Sequence, residues 1–311
     1  MNKLLCTAAT VLAATTATMA LAEYPERPVT FVVPFPPGDL EDILTRMIAE
    51  DFAAEYGVQA AVVNKPGGGG GPFPGAIETA AEAADGYTVG SFVMDVPLVG
   101  PLIGIPELNP FPFEPLGIFV TYPMVLAAPK DAPYSTIEEL AAYSQDNSVV
   151  VAHFGPELTP TQQTLSLAAK TGVKFAADVG VDAVDCNVFA AGDADVGNTT
   201  LPLILPCLDD LKVLVSFTED RIPLVDYAPS VGELVPELEM GLWNGLFVHA
   251  DTPADVRAKI VAVAEKTMAS ERAQELAAQT GGFVYWKGAD EAVAQMEADQ
   301  VVMGLMAETL Q

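Results

Sequence analysis

The pattern of hydrophobic and polar positions near the start of the chain changes period once, and this change predicts the junction around which the fold is built. Residues 29–33 form a short β-branched apolar run, which is typical of a buried strand. After a break rich in proline at 34–38, apolar residues recur at helical spacing over 40–52. Asp39 stands where an N-cap belongs, and Asp42 follows three residues later, as in a weak capping box. Such a junction points N–H groups and the positive end of a helix dipole at one place, where ligands bind in open α/β sheets.

The same alternation continues along the chain. Strands are predicted at 58–64 and 88–93 with a helix at 75–84 between them, which gives the βαβαβ order of a parallel, doubly wound sheet. Two apolar runs, 116–128 and 242–248, are predicted as strands that cross between two units. The second unit repeats the alternation, with predicted strands at 148–152, 174–177, 194–197 and 212–217 and predicted helices at 136–144, 161–171, 181–191 and 202–210. Three more helices are predicted, starting near 252, 270 and 290.

Length and charge narrow the class of protein. The 311 residues suffice for two domains of ordinary size, and the formal charge of −28 argues against nucleic acid or an anionic membrane as a partner. Residues 1–22 combine Lys3, an apolar run and an Ala-Leu-Ala cleavage site, which is the pattern of a secretory signal peptide. The run is too short and too rich in alanine and threonine for a membrane anchor. We therefore expect an exported protein.

Two cysteines, Cys186 and Cys207, follow the predicted signal peptide. In an oxidising compartment they could form a disulfide, and the alternative is two buried free thiols. Their spacing does not decide between the two, because a disulfide requires a specific geometry.

Several short motifs, in this order and spacing, resemble one known family. They are Tyr24-Pro25, Pro34-Phe35-Pro36-Pro37-Gly38 with Asp42 and Arg46, Asn64-Lys65-Pro66-Gly67, Asp85-Gly86-Tyr87-Thr88, Gly192-Asp193-Ala194-Asp195-Val196, Leu201-Pro202, and Trp243-Asn244-Gly245-Leu246-Phe247 with Thr252-Pro253. The chain resembles the periplasmic solute-binding proteins of tripartite tricarboxylate transporters, often called the Bug family. The resemblance covers nearly the whole chain after residue 22.

The resemblance implies an α/β, two-domain periplasmic-binding-protein fold of type II, the Venus flytrap, with a mainly parallel sheet flanked by helices in each domain. Domain 1 would comprise 23–122 and 246–311, and domain 2 would comprise 123–245, with crossing strands near 118–128 and 242–248. The implied function is that of a monomer in the periplasm of a Gram-negative bacterium. It would capture a small carboxylate (a di- or tricarboxylate, an amino acid or an aromatic acid) and deliver it to the permease subunits in the membrane. No cofactor is expected.

The resemblance also implies which residues bind the ligand. In the first domain these are Phe35, Pro36, Pro37, Gly38, Asp39, Asp42, Gly67, Gly68, Gly69 and Gly70. In the second domain the loops at 153–159, 178–180 and 199–200 depart from the family pattern, so the family's specificity does not carry over. The candidates there are Phe154, Gly155, Thr159, Gly180, Asn198 and Thr199: Asn198 and Thr199 can donate or accept hydrogen bonds, and Phe154 could cover a ligand or equally be a buried aromatic. No lysine or arginine lies between Pro66 and Pro129, so an anion bound there must rely on N–H groups and dipoles. Glycines at 67–71 allow close backbone approach to a ligand, although a flexible surface loop has the same composition.

The chain departs from the family pattern at the first loop, where small residues are replaced by Asp39, Leu40 and Glu41. One hypothesis is that the acids only cap the helix and favour its dipole, each by about 0.3–1 kcal/mol. The other is that one of them reaches the cleft and receives an amine or hydroxyl of the ligand, as in binding of an amino acid. We expect the first role for Glu41, and the sequence leaves both roles open for Asp39.

Two other classes of function are weighed against a transport receptor. An exported hydrolase would need His153, His249 or paired carboxylates, but no G-x-S-x-G, H-E-x-x-H or cysteine–histidine metal pattern is present. We therefore expect neither an enzyme nor a metal site. A periplasmic sensor component would bind the same ligand and report to a receptor, and the sequence does not separate sensing from transport.

Overall fold

The computed structural model describes residues 23–67, 71–181 and 183–311 of the chain. The predicted signal peptide at 1–22 and the glycines Gly68, Gly69 and Gly70 lie outside these described residues. No helix in the described ranges is both long and apolar enough to cross a membrane.

Strands and helices alternate through most of the described chain. The strands are β1 (Val29–Val33), β2 (Ala60–Asn64), β3 (Thr88–Val93), β4 (Phe113–Thr121), β5 (Met124–Pro129), β6 (Val150–His153), β7 (Ala177–Gly180), β8 (Val196–Thr200), β9 (Leu211–Ser216), β10 (Trp243–His249) and β11 (Phe283–Gly288). The helices are α1 (Leu40–Tyr56), α2 (Phe73–Ala80), α3 (Asp95–Leu98), α4 (Ile137–Tyr143), α5 (Thr159–Thr171), α6 (Cys186–Ala191), α7 (Leu201–Ile204), α8 (Val231–Leu234), α9 (Ala254–Met268), α10 (Glu271–Thr280) and α11 (Ala289–Thr309). Short 3-10 helices occupy Pro106–Leu108, Leu205–Asp210, Pro223–Val225 and Pro236–Leu238.

Two sheets define two lobes. The sheet of the first lobe has the order β11-β4-β10-β3-β1-β2, and that of the second lobe has the order β7-β6-β8-β5-β9. Each sheet contains three parallel strands: β1 pairs in parallel with β2 and β3, and β6 does so with β7 and β8. The remaining strands join antiparallel, so both sheets are mixed rather than mainly parallel. The predicted two-domain α/β fold class is confirmed.

The chain passes between the lobes twice. It leaves the first sheet at the end of β4, turns at Tyr122 and Pro123, and enters the second sheet as β5. It returns between β9 and β10. Residues Trp243 to Gly245, predicted as the end of the second domain, pair with β3 and β4 in the first lobe. The last helix, α11, packs against β4 and also against α5, so it bridges both lobes.

The hydrophobic core is continuous across the lobe boundary. One cluster of buried side chains includes Phe92 and Phe247 of the first lobe, Val151 and Leu167 of the second, and Trp243 at the return crossing. Because buried apolar area favours folding at about 25 cal/mol per Å², this shared cluster couples the stabilities of the two lobes.

Local signals predicted most elements, and three departures have physical reasons. Asp39 is confirmed as the N-cap of α1, where its side chain accepts from Leu40 N. The strand predicted at 174–177 occupies Ala177–Gly180, where it pairs with β6. The helix predicted at 181–191 begins only at Cys186, because Asp185 caps it by accepting from Asn187 N. The strand β11 was not predicted, since its six residues stand between two strong helical patterns.

The sulfur atoms of Cys186 and Cys207 are within bonding distance, with their Cα atoms 5.9 Å apart and a sequence separation of 21. Replacing both cysteines with serine is expected to lower the free energy of unfolding by about 2–3 kcal/mol, because the unfolded chain then regains the entropy of an open loop. Urea unfolding of the wild type and of Cys186→Ser/Cys207→Ser, each with and without a reductant, measures this. Reductant should destabilise only the wild type, and equal stability of all four samples would exclude a disulfide in solution.

Candidate ligand site between the lobes

The loop between β1 and α1 is fixed by one carboxylate. Gly38 has a φ of 105°, a conformation that favours glycine, and its N–H donates to Asp42 Oδ2 at 2.9 Å. The capping box predicted from Asp39 and Asp42 does not form in its usual way: Asp42 accepts from the residue before the cap, and Asp39 accepts from Leu40 N at 2.9 Å. Pro36, Pro37 and Gly38 are exposed in this loop, and Phe35 is half-buried.

Asp42 also joins this loop to the loop that follows β2. Arg46 donates to both of its carboxylate oxygens, at 2.9 and 3.0 Å, and Asn64 Nδ2 donates at 2.8 Å. The same Nδ2 donates to the carbonyl oxygen of Phe35 at 3.0 Å. Burial raises the pKa of Asp42, but the donors Arg46, Asn64 and Gly38 N–H outweigh it and hold the pKa below its usual value. The positive charge of Arg46 is therefore balanced by the Asp42 carboxylate.

Glu41, which the sequence predicts to favour the helix dipole, lies in the first turn of α1 and is buried beside this loop. Glu41 is 2% exposed, and its Oε2 has no hydrogen-bond partner among the described residues. Burial, followed by the nearby Asp39 carboxyl, raises the pKa of Glu41 well above its usual value. Burial also raises the pKa of Asp39, although the Leu40 N–H opposes the shift.

A buried polar network lies next to Glu41 where the chain leaves the first lobe. The Tyr122 hydroxyl donates to Asn244 Oδ1 at 3.2 Å, and Asn244 Nδ2 donates to Ser91 Oγ at 2.8 Å. The Ser91 and Thr45 hydroxyls are also 2.8 Å apart. Burial, and then the carboxyls of Glu41 and Asp39, raise the pKa of Tyr122 well above its usual value, so its hydroxyl remains a neutral donor.

In the second lobe, His153 fixes the loop between β6 and α5. Its Nδ1 accepts from Gly155 N at 3.0 Å, so the proton of the neutral ring is on Nε2, which lies 2.9 Å from Asp178 Oδ2. Phe154 packs against the core instead of standing free, and Gly180 is exposed with an added Cβ 3.5 Å from His153. The His153 side chain therefore fixes this loop by accepting a hydrogen bond from the backbone N–H of Gly155.

The end of β8 supplies neutral polar groups to the second lobe. Asn198 Nδ2 donates to Thr164 Oγ1 at 2.8 Å, and the Thr199 hydroxyl donates to the Val184 carbonyl at 2.5 Å. The predicted ligand residue Thr199 thus directs its hydroxyl into the lobe. Asn198 Oδ1 and Thr200 Oγ1 are buried and have no partner in the part of the chain that the structure describes.

The two lobes contact each other through Asp95 of α3 and Thr159, the first residue of α5. Asp95 Oδ1 accepts from both the N–H and the hydroxyl of Thr159, each at 2.8 Å. Burial raises the pKa of Asp95, and the two bonds from Thr159 oppose the shift. Beside this contact, the Leu158 side chain comes within 3.4 Å of where a Cβ on Gly71 would lie. The two lobes therefore touch at these strand-end loops.

Sequence reasoning missed Asp95, Tyr122 and Glu41 as members of this site. A signal for Asp95 exists, because it is the lone charged residue between Thr88 and Pro106 and follows directly on β3. Tyr122 carries no such signal, since its role depends on where the chain crosses between lobes.

Within 23–67, 71–181 and 183–311, no group of three histidine, cysteine or acidic side chains could hold a metal ion. His153 bonds to Asp178 and Gly155, and His249 Nδ1 accepts from Asp251 N at 3.4 Å. Neither histidine hydrogen-bonds to a serine, threonine or cysteine among the described residues, which is the contact a nucleophile needs.

Replacing Glu41 with glutamine is expected to raise the free energy of unfolding at pH 7 by about 1–3 kcal/mol, because it removes a buried carboxyl that lacks a partner. The folded pKa of Glu41 is raised above the ordinary 4.5, so the folded state binds the proton more tightly than the unfolded state. Wild-type stability should therefore fall as the pH rises above about 4.5, and the variant should lose part of this fall.

Thermal unfolding of both proteins between pH 4.5 and 8 measures this difference. Glu55→Gln is the matched control, since Glu55 lies on the same helix, is exposed, and stands 3.9 Å from Lys266. Parallel curves for wild type and Glu41→Gln would contradict a raised pKa for Glu41.

The fold and the site define a class of protein: two α/β lobes joined by crossing segments, with strand-end loops meeting between them, as in periplasmic solute-binding proteins. The sequence profile described as "Tripartite tricarboxylate transporter family receptor" matches residues 44–305. The chain belongs to this family, whose members are solute-binding receptors of the periplasm and not enzymes. The predicted family is therefore confirmed.

Known relatives share the fold over most of their length. A UPF0065 protein from the tcbD-tcbE intergenic region of Pseudomonas sp. strain P51 is 27% identical over 290 residues, which is 89% of this chain and 84% of that protein. The periplasmic binding protein BugD is 26% identical with a TM-score of 0.75, covering 91% of this chain and 97% of that structure. Rpa4515 of R. palustris, solved with adipate, is 23% identical with a TM-score of 0.79, covering 92% and 98%.

Proposed function

We propose that this chain is an exported receptor that closes its two lobes on a small carboxylate-bearing solute and delivers the solute to the membrane subunits of a tripartite transporter. The observation that carries the proposal is the meeting of strand-end loops across the cleft, made by Asp95 with Thr159 and by Gly71 with Leu158. The bound adipate of Rpa4515 supports a carboxylate as the ligand class.

A carboxylate of the ligand fits best at the start of α2. This helix follows the glycine segment, begins with Pro72 as its N-cap, and has neither a side-chain cap nor an acidic residue in its first turn. Its first N–H groups and the positive end of its dipole are therefore available to an anion. By contrast, the start of α1 already carries acids at 39, 41 and 42.

The second lobe completes the site when the cleft closes. Asp95 Oδ1 already accepts both donors of Thr159 at the start of α5, and the pair is worth about 1.5–3 kcal/mol because the two bonds share one acceptor on a buried carboxyl. We infer that this contact breaks when the cleft opens, in which case it favours closure in the same direction as a ligand does. The proposed cycle is capture in the open state, closure, and release at the permease.

Asp95→Ala is therefore expected to expand the ligand-free protein by shifting it towards the open state, with a loss of about 1.5–3 kcal/mol of closed-state stabilisation. Small-angle scattering of the mature chain measures the radius of gyration. Asp131→Ala is the control, because Asp131 is an exposed aspartate in the turn that follows β5. Equal radii for wild type and Asp95→Ala would contradict the closing role of this contact.

The ligand class is tested by thermal unfolding with malate, adipate, succinate, aspartate and benzoate. A ligand at 100 times its Kd should raise the melting temperature by about 5–10 °C, because it binds only the folded state. The same ligand should compact the Asp95→Ala variant in scattering. A ligand that raises the melting temperature without compaction would contradict the closure mechanism, and the absence of any shift would contradict the proposed ligand class.

A further inference from the structure

Two carboxyl groups without a basic partner lie at the start of α1, beside the point where the chain crosses to the second lobe. Glu41 is 2% exposed with Oε2 unpartnered among the described residues, and Asp39 is close enough to act on its ionisation. The Tyr122 hydroxyl lies near the Glu41 carboxyl and favours its ionised form, but its proton is donated to Asn244 Oδ1. Oε2 of an ionised Glu41 therefore lacks a hydrogen-bond donor. This lowers the stability of the folded protein unless a group from outside the chain donates to it.

No basic side chain within the described ranges pairs with Glu41. All five arginines form ion pairs with carboxylates, namely Arg27 with Asp85, Arg46 with Asp42, Arg221 with Glu233, Arg257 with Glu114, and Arg272 with Glu50 and Asp51. Arg46, on the same helix as Glu41, donates to both oxygens of Asp42. Among the residues that the structure describes, no lysine or arginine forms an ion pair with Glu41, Asp39 or Asp95.

The second lobe brings acceptors, not cations, to the same region. Thr200 pairs with Met124, two residues after Tyr122, and its hydroxyl is buried and unpartnered in the described chain. The Oδ1 of Asn198, two residues earlier on β8, is also buried and has no hydrogen-bond partner in the described chain. These buried groups from the opposite lobe are an observation independent of the two acids, and both accept hydrogen bonds from a donor.

We propose that Glu41 and Asp39 form a subsite for a protonated nitrogen of the ligand, so that this receptor carries a zwitterion and not a plain dicarboxylate. The inference rests on the proposed function and deepens it. An ammonium group supplies the donor that Glu41 Oε2 lacks and offsets the repulsion between the two carboxyls. The carboxylate end of the ligand then lies at the start of α2, which follows the neighbouring strand β2 and carries no acid in its first turn.

The alternative arrangement, in which a neutral Glu41 donates a hydrogen bond to the ligand, predicts a different number of protons exchanged on binding. A neutral Glu41 could donate its proton to a ligand carboxylate, and a bound anion would then hold that proton more tightly. A bound ammonium instead favours the ionised carboxylate, so binding at pH 7 should release up to about one proton. The two arrangements therefore differ in the sign of proton exchange.

Pairs of ligands that differ only by an amine distinguish the ammonium subsite from a proton-donating Glu41. Calorimetry of the mature chain with aspartate and succinate, glutamate and glutarate, and leucine and 4-methylpentanoate compares ligands that differ by one amine. We expect the amine member of at least one pair to bind at least tenfold more tightly and to release protons, measured as a dependence of the binding heat on the ionisation heat of the buffer. Glu41→Gln should remove most of that tenfold preference and the proton release, and Glu55→Gln should retain both.

Each other outcome overturns a distinct claim. Equal or tighter binding of the deaminated member, or proton uptake, would overturn the ammonium subsite and leave the carboxylate receptor standing. An unchanged preference in a folded Glu41→Gln and in Asp39→Asn, which retains a good N-cap residue, would also overturn it. Binding of neither member of any pair would overturn the proposed carboxylate ligand together with the subsite.

Discussion

Trp243→Ala is expected to lower the free energy of unfolding by about 3–5 kcal/mol, the typical cost of removing a buried aromatic side chain. Trp243 is 2% exposed, stacks near Phe247 with ring centroids 6.5 Å apart, and donates from Nε1 to Asp299 Oδ2 at 2.6 Å. The variant leaves a cavity in the core shared by both lobes and deprives Asp299, itself 2% exposed, of a donor. Urea unfolding with an unchanged slope would report this loss directly.

The conservative variant Trp243→Phe separates packing from hydrogen bonding. It retains an aromatic ring but leaves the Asp299 carboxyl without the indole N–H, at a cost of about 1–3 kcal/mol. Burial raises the pKa of Asp299, and the Trp243 N–H opposes this shift, so its removal raises the pKa further. The loss in Trp243→Phe should therefore shrink as the pH is lowered, because a protonated Asp299 tolerates burial. A loss that is the same at pH 5 and pH 8 would show that the bond contributes little.

Asp42→Ala has the second largest expected effect, about 3–4 kcal/mol, and it should also weaken ligand binding at least tenfold. The Asp42 side chain is 2% exposed and accepts from Gly38, Arg46 and Asn64, so its removal frees both loops of the first lobe. Breaking a buried ion pair costs about 3–5 kcal/mol. The lower half of that range applies because the Arg46 side chain is 42% exposed and water reaches it.

The surface pair of Arg27 and Asp85 provides the control for Asp42→Ala. Its side chains are 58% and 41% exposed, so Asp85→Ala should cost less than about 1 kcal/mol and should not affect binding. Chemical unfolding and calorimetry with the ligand identified by thermal shift measure both quantities. Retained affinity in a destabilised Asp42→Ala would indicate that the two loops do not need Asp42 to bind the solute.

Short-range signals predicted the first junction of the fold because each of them acts locally. A β-branched run, a proline-rich break and Asp39 at the helix start determine strand, loop and cap within about ten residues. The family motifs extended this to the two-lobed architecture. The position of β11 depends instead on pairing with β4, more than 160 residues away in the numbering, and its own six residues are too few to indicate it.

The candidate site was harder to predict, because it depends on which side of a helix faces the other lobe. The sequence places Glu41 in the first turn of α1 but does not tell whether it faces solvent or the crossing segment at Tyr122. Asp95 gains its role only through Thr159, a residue 64 positions later in the chain. Its position as the lone charged residue between Thr88 and Pro106 marks Asp95 in the sequence, but the partner of that carboxyl is set by packing between the lobes and leaves no local pattern.

The bridging helix α11 has a practical consequence. It contains 21 residues, about 31 Å of length, and it packs against β4 in one lobe and α5 in the other. Near its end, Leu305 and Thr309 line a surface pocket together with Lys170 of α5. When the lobes move, this end must slide over α5, which makes position 305 suited to an environment-sensitive dye. Labelled there, the protein would turn solute capture into a change in fluorescence that can be followed in real time.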